Sequence, residues 1–594
     1  MTEGLVTEEK ELRGIPVYPD IVIGKARMVD RSKAKIVYQC FVNEEQLDRE
    51  VQRFEKALRL VEAQFVALKA KMPDTLKDQA FILDSHLMIL KDSMLRDSTI
   101  NRIHEERINA EWALKKTLEE IRGVFEQIDD DYISNRISDV EYVAERLIRT
   151  LSGDTTHSLS HINQRVIIVA HDLSPADTTE LNTAKVMGFI TDVGGRTSHT
   201  AIMAQALEIP AVVGLEHATA LVEDGDLLIV DGSSGVVIIN PDDNDIIHYQ
   251  ERKLQLQKYK SSIARMSHLP AVTPDGHRVA ITANIEFLEE VTAAKDYGGE
   301  GIGLYRTEFL YLRGKGFPEE EELFEDYREV AEIMRPATVS IRTLDMGGDK
   351  FASEIAISEE NNPALGLRAI RFCLREPEIF QTQLRAILRA SAFGRIQLMF
   401  PMISGLQELL DARTILEQVK GDLDREQIPY DKTMEVGIMI EIPSAVAMAE
   451  VLARYVDFFS IGTNDLIQYA LAIDRVNEHV AYMYQPFHPA IIRMIRQVVT
   501  AARDAGIRVS LCGEMAGDPL CISILLGIGL DGLSMNARAI PLVKKMVRAI
   551  PMEQARADLE DIMLLKTARE VRAYILERTR QMFPELEEKG YLLN

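Results

Sequence analysis

The sequence predicts an α/β chain in two halves. The first is a β/α domain carrying an inserted α-helical subdomain; a linker helix then leads to a C-terminal (β/α)8 TIM barrel. Three observations support this. Residues 43–151 are almost free of Gly and Pro and open on a heptad-spaced apolar seam. Strand-length apolar runs lie on both sides of that stretch. Beyond it, eight further apolar runs alternate with helical ones, the count a (β/α)8 barrel requires. The boundaries that follow are 1–40 with 152–241 for the β/α domain and 41–151 for the insertion, then 242–268 for the linker and 269–594 for the barrel.

At 594 residues the chain holds several domains, each large enough for its own core. A net charge of −25 argues against a nucleic-acid partner and favours a basic protein partner or plain solubility. The four cysteines are too scattered for a disulfide framework or a zinc site, which suits a reducing cytoplasm. MTEGLVTEEKELRG lacks the basic-then-apolar order of a signal peptide, and no apolar run is long enough to span a bilayer. The expectation is a cytoplasmic protein.

Taken in order, Gly14–Val29 alternates apolar and turn residues and reads as a strand pair. From Asn43 the positions Leu47, Val51, Phe54, Leu58, Val61, Phe65 and Leu68 step by four and three, giving a long helix that Pro73 stops. Three more helical runs are expected at Leu76–Ser93, Ser98–Asp129 and Asp130–Leu151. Strands return at Arg165–Ala170, Met187–Thr191, Leu227–Asp231 and Val236–Asn240. Asp242–Met266 is polar and free of Gly and Pro, as a connecting helix should be. The barrel strands are expected at Val279–Ala283, Gly301–Tyr305, Val339–Thr343, Ile396–Pro401, Val436–Glu441, Phe458–Ile461, Val509–Cys512 and Gly532–Met535.

Chemistry concentrates in two places. In TDVGGRTSHTAIMA, Gly194 and Gly195 permit a tight turn, and Thr197 or Ser198 can cap the helix that follows. His199 then sits in its first turn, where free N–H groups favour an anion such as a phosphorylated imidazole. The second place is the C-terminal rim of the barrel, where such enzymes build their sites. Arg306, Arg342, Glu441 and Cys512 lie at strand ends, Asn464 and Asp465 follow strand six, and Arg475 and Arg368 lie nearby. Arginines match phosphate and carboxylate oxygens, and two carboxylates suit Mg²⁺. Together they describe a site for a small phosphate ester that also bears a carboxylate.

GGRTSHTAIMA resembles the phosphohistidine signature of the phosphoenolpyruvate-utilising enzymes, the family of Enzyme I of the bacterial phosphotransferase system, pyruvate phosphate dikinase and phosphoenolpyruvate synthase. The barrel motifs GIGLYRTEFL, IMIEIPSA, SIGTNDLIQY and LCGEMAG resemble the same family, so the likeness covers nearly the whole chain. It implies that His199 is phosphorylated, that Arg306, Arg342, Asn464, Asp465 and Arg475 bind phosphoenolpyruvate, that Glu441 and Asp465 hold Mg²⁺, and that Cys512 donates a proton. It also implies a swivelling β/α domain, a helical insertion that docks an HPr-like phosphocarrier, and a homodimer formed through the barrel. FILDSHLMILKD and ISDVEYVAERL are similar to that carrier-binding insertion. Two departures from the family pattern stand out: Lys77 and Lys91 mix with the acidic residues of the first stretch, and Pro19-Asp20 replaces the usual Pro-Gly. The alternatives are an Enzyme I of the nitrogen-type regulatory phosphorelay or a dikinase-like enzyme. The latter needs a nucleotide-binding domain, whereas 13 residues precede Gly14 and no Walker motif occurs.

Overall fold

Apolar runs broken by turn residues assemble a mixed sheet in the first part of the chain. The strands are β1 (Glu11–Arg13), β2 (Ile15–Pro16), β3 (Ile21–Val29), β4 (Val166–Ala170), β5 (Val186–Thr191), β6 (Ala211–Val213), β7 (Leu227–Asp231) and β8 (Val236–Ile239). The computed structural model describes residues 11–29, 38–71, 80–125, 131–152, 164–173, 185–195, 198–207, 209–312, 316–347, 362–475, 477 and 480–592. It divides into two units, Met1–Gln257 with Glu588–Asn594, and Lys258–Glu587.

The sheet order is β1-β8-β7-β3-β4-β5-β6-β2. From β3 to β6 the pairs are parallel, and antiparallel strands flank them. The Gly14–Val29 segment forms two strands, as expected, but they do not pair with each other. β2 lies at the edge against β6, while β3 runs between β4 and β7. The backbone at Gly14 packs so closely on β6 that a Cβ there would lie 2.6 Å from the Val213 carbonyl oxygen. That contact commits β2 to the far edge before the Val17–Asp20 bend brings the chain back. β4 is buried along its whole length, as a covered parallel strand must be.

The insertion is helical: α1 (Leu47–Lys71), α2 (Ala80–Lys91), α3 (Ser93–Glu106), α4 (Ala110–Phe125) and α5 (Asp131–Ser152). Leu47, Phe54, Leu58, Val61 and Phe65 of the α1 seam are buried and share a core with Leu95, Ile103, Leu114, Val143 and Leu147. Pro73 and the side chain of Leu68 lie outside the described residues. The run expected at Ser98–Asp129 is two helices rather than one. Arg107 turns left-handed at φ 52, its carbonyl accepts from Val42 N at 2.8 Å, and Ile108 forms a bridge with Phe41. Asp92 likewise ends the preceding run, because its side chain caps α3 by accepting from Met94 N at 2.7 Å.

One continuous helix, Asp243–Met266, follows the sheet and crosses the boundary between the two units. In the second unit β9 (Ala280–Ile285), β10 (Ile302–Tyr305), β11 (Thr338–Arg342), β12 (Arg395–Phe400), β13 (Val436–Ile440), β14 (Phe458–Ile461), β15 (Arg508–Leu511) and β16 (Gly532–Met535) close a barrel. Every neighbouring pair is parallel, including β16 with β9. The sequence placed all eight, with ends that differ by at most two residues. Leu304, Met399, Met439, Phe458 and Cys512 pack together as an apolar cluster. Beyond the barrel, Met552–Leu564 and Ala568–Met582 form two helices. No helix of the described residues is long and apolar enough to cross a membrane.

Candidate active site

In the first unit, β5 delivers the chain to a turn that Asp192 holds in place. This buried carboxylate accepts from Thr219 N at 2.9 Å and from the Thr219 hydroxyl, and its other contact is His171 Nδ1 at 3.1 Å. Gly194 follows with φ +119, a conformation that side chains resist. Ser198 then caps the helix His199–Ala206, its hydroxyl accepting from Ala201 N at 3.3 Å. His199 is therefore the first residue of that helix. Thr197, the other capping candidate, lies outside the described residues.

In the second unit all strands run the same way, so their C-terminal ends gather side chains at one rim. Arg306 follows β10 and pairs with Glu286. Arg342 ends β11 and is clasped by Glu308 at 2.9 Å and Asp345 at 2.7 Å. Asp345 also meets Arg368 at 2.8 Å, and Arg368 reaches Asp465 at 3.7 Å. Glu441 follows β13 and is fully buried; its Oε1 accepts from Met402 N at 2.6 Å. Asn464 and Asp465 lie in the first turn of the helix Thr463–Leu471. Asn464 exchanges hydrogen bonds with Glu514, donating to Oε1 at 3.1 Å and accepting from its N–H at 2.9 Å. Cys512 follows β15 and is buried, with Sγ 3.7 Å from the Ile461 carbonyl oxygen. Arg475 is exposed, and its side chain bonds Tyr484.

Three family models match the chain. The N-terminal domain of the PEP-utilising enzymes covers residues 13–136, their mobile domain 162–235 and their PEP-binding domain 260–552. A phosphoenolpyruvate-protein phosphotransferase of Bacillus sp. (strain S) is 43% identical over 573 residues, covering 96% of this chain and 99% of that protein. Proteins of the same name from Bacillus subtilis (strain 168) and Haemophilus influenzae (strain ATCC 51907 / DSM 11121 / KW20 / Rd) are 42% and 40% identical. They cover 96% and 95% of this chain, and 99% and 98% of their own lengths. The chain belongs to the phosphoenolpyruvate-protein phosphotransferase family. It is a transferase.

The charges at the rim of this phosphotransferase are balanced by burial and pairing. Burial opposes the charge on Arg342, but Glu308 and Asp345 hold its pKa above the ordinary guanidinium range. Burial also works against the Asp345 charge, and the two arginines outweigh it and keep that carboxyl below its usual value. Glu441 is pushed up to about 8, first by burial and then by Asp345 and Asp465. Cys512 is raised chiefly by burial, which keeps its sulfur protonated at neutral pH.

Asp345, Glu441 and Asp465 each present an oxygen within 4.8 Å of the others. Glu441 Oε2 is buried without a hydrogen bond among the described residues. Gly462 leaves space beside it, since a Cβ there would lie 2.8 Å from that atom. An orphaned carboxylate oxygen facing two more carboxylates fits a hard divalent cation. Arg342 Nε is also buried without a partner, a donor left over for an anion.

The sequence pattern gives no role to Asp345, Glu308 or Arg368, although Arg368 lies near the rim residues. The available signal was spacing. Asp345 lies three residues beyond a strand-end arginine, close enough to pair with it and to face the site.

Proposed function

We propose that this chain transfers the phosphoryl group of phosphoenolpyruvate through a phosphohistidine at His199 to the histidine of an HPr-like phosphocarrier, releasing pyruvate. In that role it would open the cascade that drives sugar uptake. The observation that carries this reading is the rim cluster of Arg342, Asp345, Glu441, Asp465 and Cys512, in a chain that shares 40–43% of its residues with phosphoenolpyruvate-protein phosphotransferases along almost its entire length.

Arg306, Arg342 and Arg475 bind the phosphate and carboxylate of the substrate, with Asn464 and Asp465 completing the site. Glu441 and Asp465 are the ligands for Mg²⁺, with Asp345 as a further oxygen donor; the bound cation supplies Lewis-acid stabilisation of phosphate and enolate oxygens. The neutral imidazole of His199 attacks phosphorus in line. A P–O bond breaks as the N–P bond forms, and the arginines stabilise charge on the oxygens. The S–H proton of Cys512 goes to C3 of the enolate, whose electron pair makes the new C–H bond. The thiolate left behind recovers a proton from water.

Residues 1–40 with 152–241 form the phosphohistidine domain, 41–151 the carrier-binding subdomain, 242–268 the linker and 269–594 the phosphoenolpyruvate-binding barrel. One histidine that serves both substrate and carrier must swing between them, and the linker helix is where that motion is accommodated. The enzyme acts in the cytoplasm as a homodimer joined through the barrel.

The test is incubation with ³²P-labelled phosphoenolpyruvate and Mg²⁺ in the absence of ATP. Label that is acid-labile, base-stable and lost in His199→Ala is expected. No label would overturn the reading, and label taken only from ATP would overturn it in favour of dikinase-like chemistry.

A further inference from the structure

The Cys512 carbonyl lies one residue past the end of the β15–β16 ladder, whose last pair is Leu511 with Leu533. It is satisfied from elsewhere: Asn284 Nδ2, on β9, donates to it at 2.9 Å. Asn284 is held in turn by Ser534 of β16, which is 1% exposed and donates its hydroxyl to Asn284 Oδ1 at 2.6 Å. A hydroxyl donor on one side and a carbonyl acceptor on the other leave the amide a single workable orientation. β10 makes room for this relay with Gly303, where a Cβ would lie 2.5 Å from Ser534 Oγ.

The rest of the turn is fastened to the opposite neighbour. Cys512 N donates to the Ile461 carbonyl at 3.0 Å, and Glu514 N donates to Asn464 Oδ1 at 2.9 Å. Gly513 packs against Thr463, and a Cβ there would lie 1.8 Å from Thr463 Oγ1. Cys512 is thus gripped from two sides. One grip, through Asn464, belongs to the substrate site itself. The other, Ser534 to Asn284 to the Cys512 carbonyl, has no part in binding or metal ligation.

We infer that Asn284, oriented by Ser534, is a positioning residue that aims the Cys512 thiol at one face of the enolate. The inference rests on the reading of Cys512 as proton donor. A thiol in a fixed place delivers its proton to one face of C3, while an enolate lost to water is protonated on either face. Misplacing a reacting group by an ångström costs on the order of a hundredfold in rate. The loss here falls on the protonation step, because phosphoryl transfer to His199 precedes it.

The experiment is a single turnover of the full-length enzyme with Mg²⁺ and phosphoenolpyruvate carrying deuterium and tritium stereospecifically at C3. Phosphohistidine and the chirality of the pyruvate methyl group are measured together. Wild type should give a methyl group of one configuration. Asn284→Asp keeps the size of the side chain but removes its N–H donor, and Ser534→Ala removes the orienting hydroxyl. Both should still phosphorylate His199 yet return methyl groups of largely mixed configuration, with Cys512→Ala as the fully mixed reference. Stereopure pyruvate from Asn284→Asp beside mixed product from Cys512→Ala overturns the inference alone. Stereopure pyruvate from Cys512→Ala overturns the proton-donor reading and the inference with it. Loss of both steps in proportion to lost thermal stability would make Asn284 a structural residue and also overturn the inference.

Discussion

Arg342 keeps its charge because Glu308 and Asp345 reach it where water does not. Removing the cation strands Glu308, while Asp345 keeps Arg368, and breaking a buried pair from one side typically costs about 3–5 kcal/mol. Arg342→Gln should therefore lower the urea midpoint of barrel unfolding as well as weaken phosphoenolpyruvate binding; an unchanged midpoint would mean that the pair adds no net stability. Glu441→Ala and Asp465→Ala should each raise the Mg²⁺ concentration needed for phosphohistidine formation, by about tenfold or more. Wild-type Mg²⁺ dependence in either variant would remove that residue from the metal site. At this scale the sequence displayed residues whose chemistry stands out, such as a histidine after two glycines or a carboxylate ending an apolar run. It hid Asn284 and Ser534, which are uncharged, sit in no motif and act through a partner 228 residues away from Asn284. The pairing of Asp345 with two arginines is a fact of three dimensions.

Helix ends and turns carry the next set of consequences. Asp92 is the N-cap of α3, and losing such a cap costs about 1 kcal/mol. Asp92→Ala should lower the thermal midpoint of the helical insertion by a few degrees in circular dichroism, and no change would show that the neighbouring helices hold α3 without it. Asp275, in the turn between Val272 and Arg278, ties this turn to the helix Met552–Leu564. The Thr273 hydroxyl and the backbone N–H groups of Met552 and Glu553 hold its carboxyl at about 2, below the ordinary 3.8. A depressed carboxylate stabilises above its unfolded pKa and loses that contribution as pH falls through the folded one. Wild type should therefore exceed Asp275→Asn in stability by a constant amount above pH 4, with the gap closing between pH 3.8 and 2; a gap that persists at pH 2 would contradict the assignment.

Elements were legible where burial imposed a continuous pattern. β13, β14 and β16 are buried along their whole length, so such strands read as apolar runs between turns, and the number and order of the barrel strands emerged from the sequence. The short strands β1 and β6 have too few residues to show a period. The break at Arg107 was invisible because arginine is not a turn former, and its left-handed conformation answers to Val42 and Phe41, more than sixty positions earlier in the chain.

Over the whole molecule, two units with separate cores should melt separately. Calorimetry of the intact chain should show at least two transitions. Phosphoenolpyruvate with Mg²⁺, at about 100 times its Kd, adds roughly 2.7 kcal/mol to whichever unit binds it. In His199→Ala, which cannot take the phosphoryl group, only the transition of the barrel should move; a shift in the other would relocate the substrate site. The expected domain borders rest on changes in the texture of the sequence, from strand runs to a heptad seam and back.

The barrel's closing ladder joins β9, which starts at Ala280, to β16, which ends at Met535. A ribosome adds about 5–20 residues per second, so roughly 10–50 s separate the emergence of these two strands. Throughout that interval the nascent barrel keeps an unpaired edge, the kind of surface on which chains stick to one another. The first unit, by contrast, has already received the last strand of its sheet. Newly made chains should accordingly fail in one direction, with a folded amino-terminal half and a carboxyl-terminal half awaiting a chaperone.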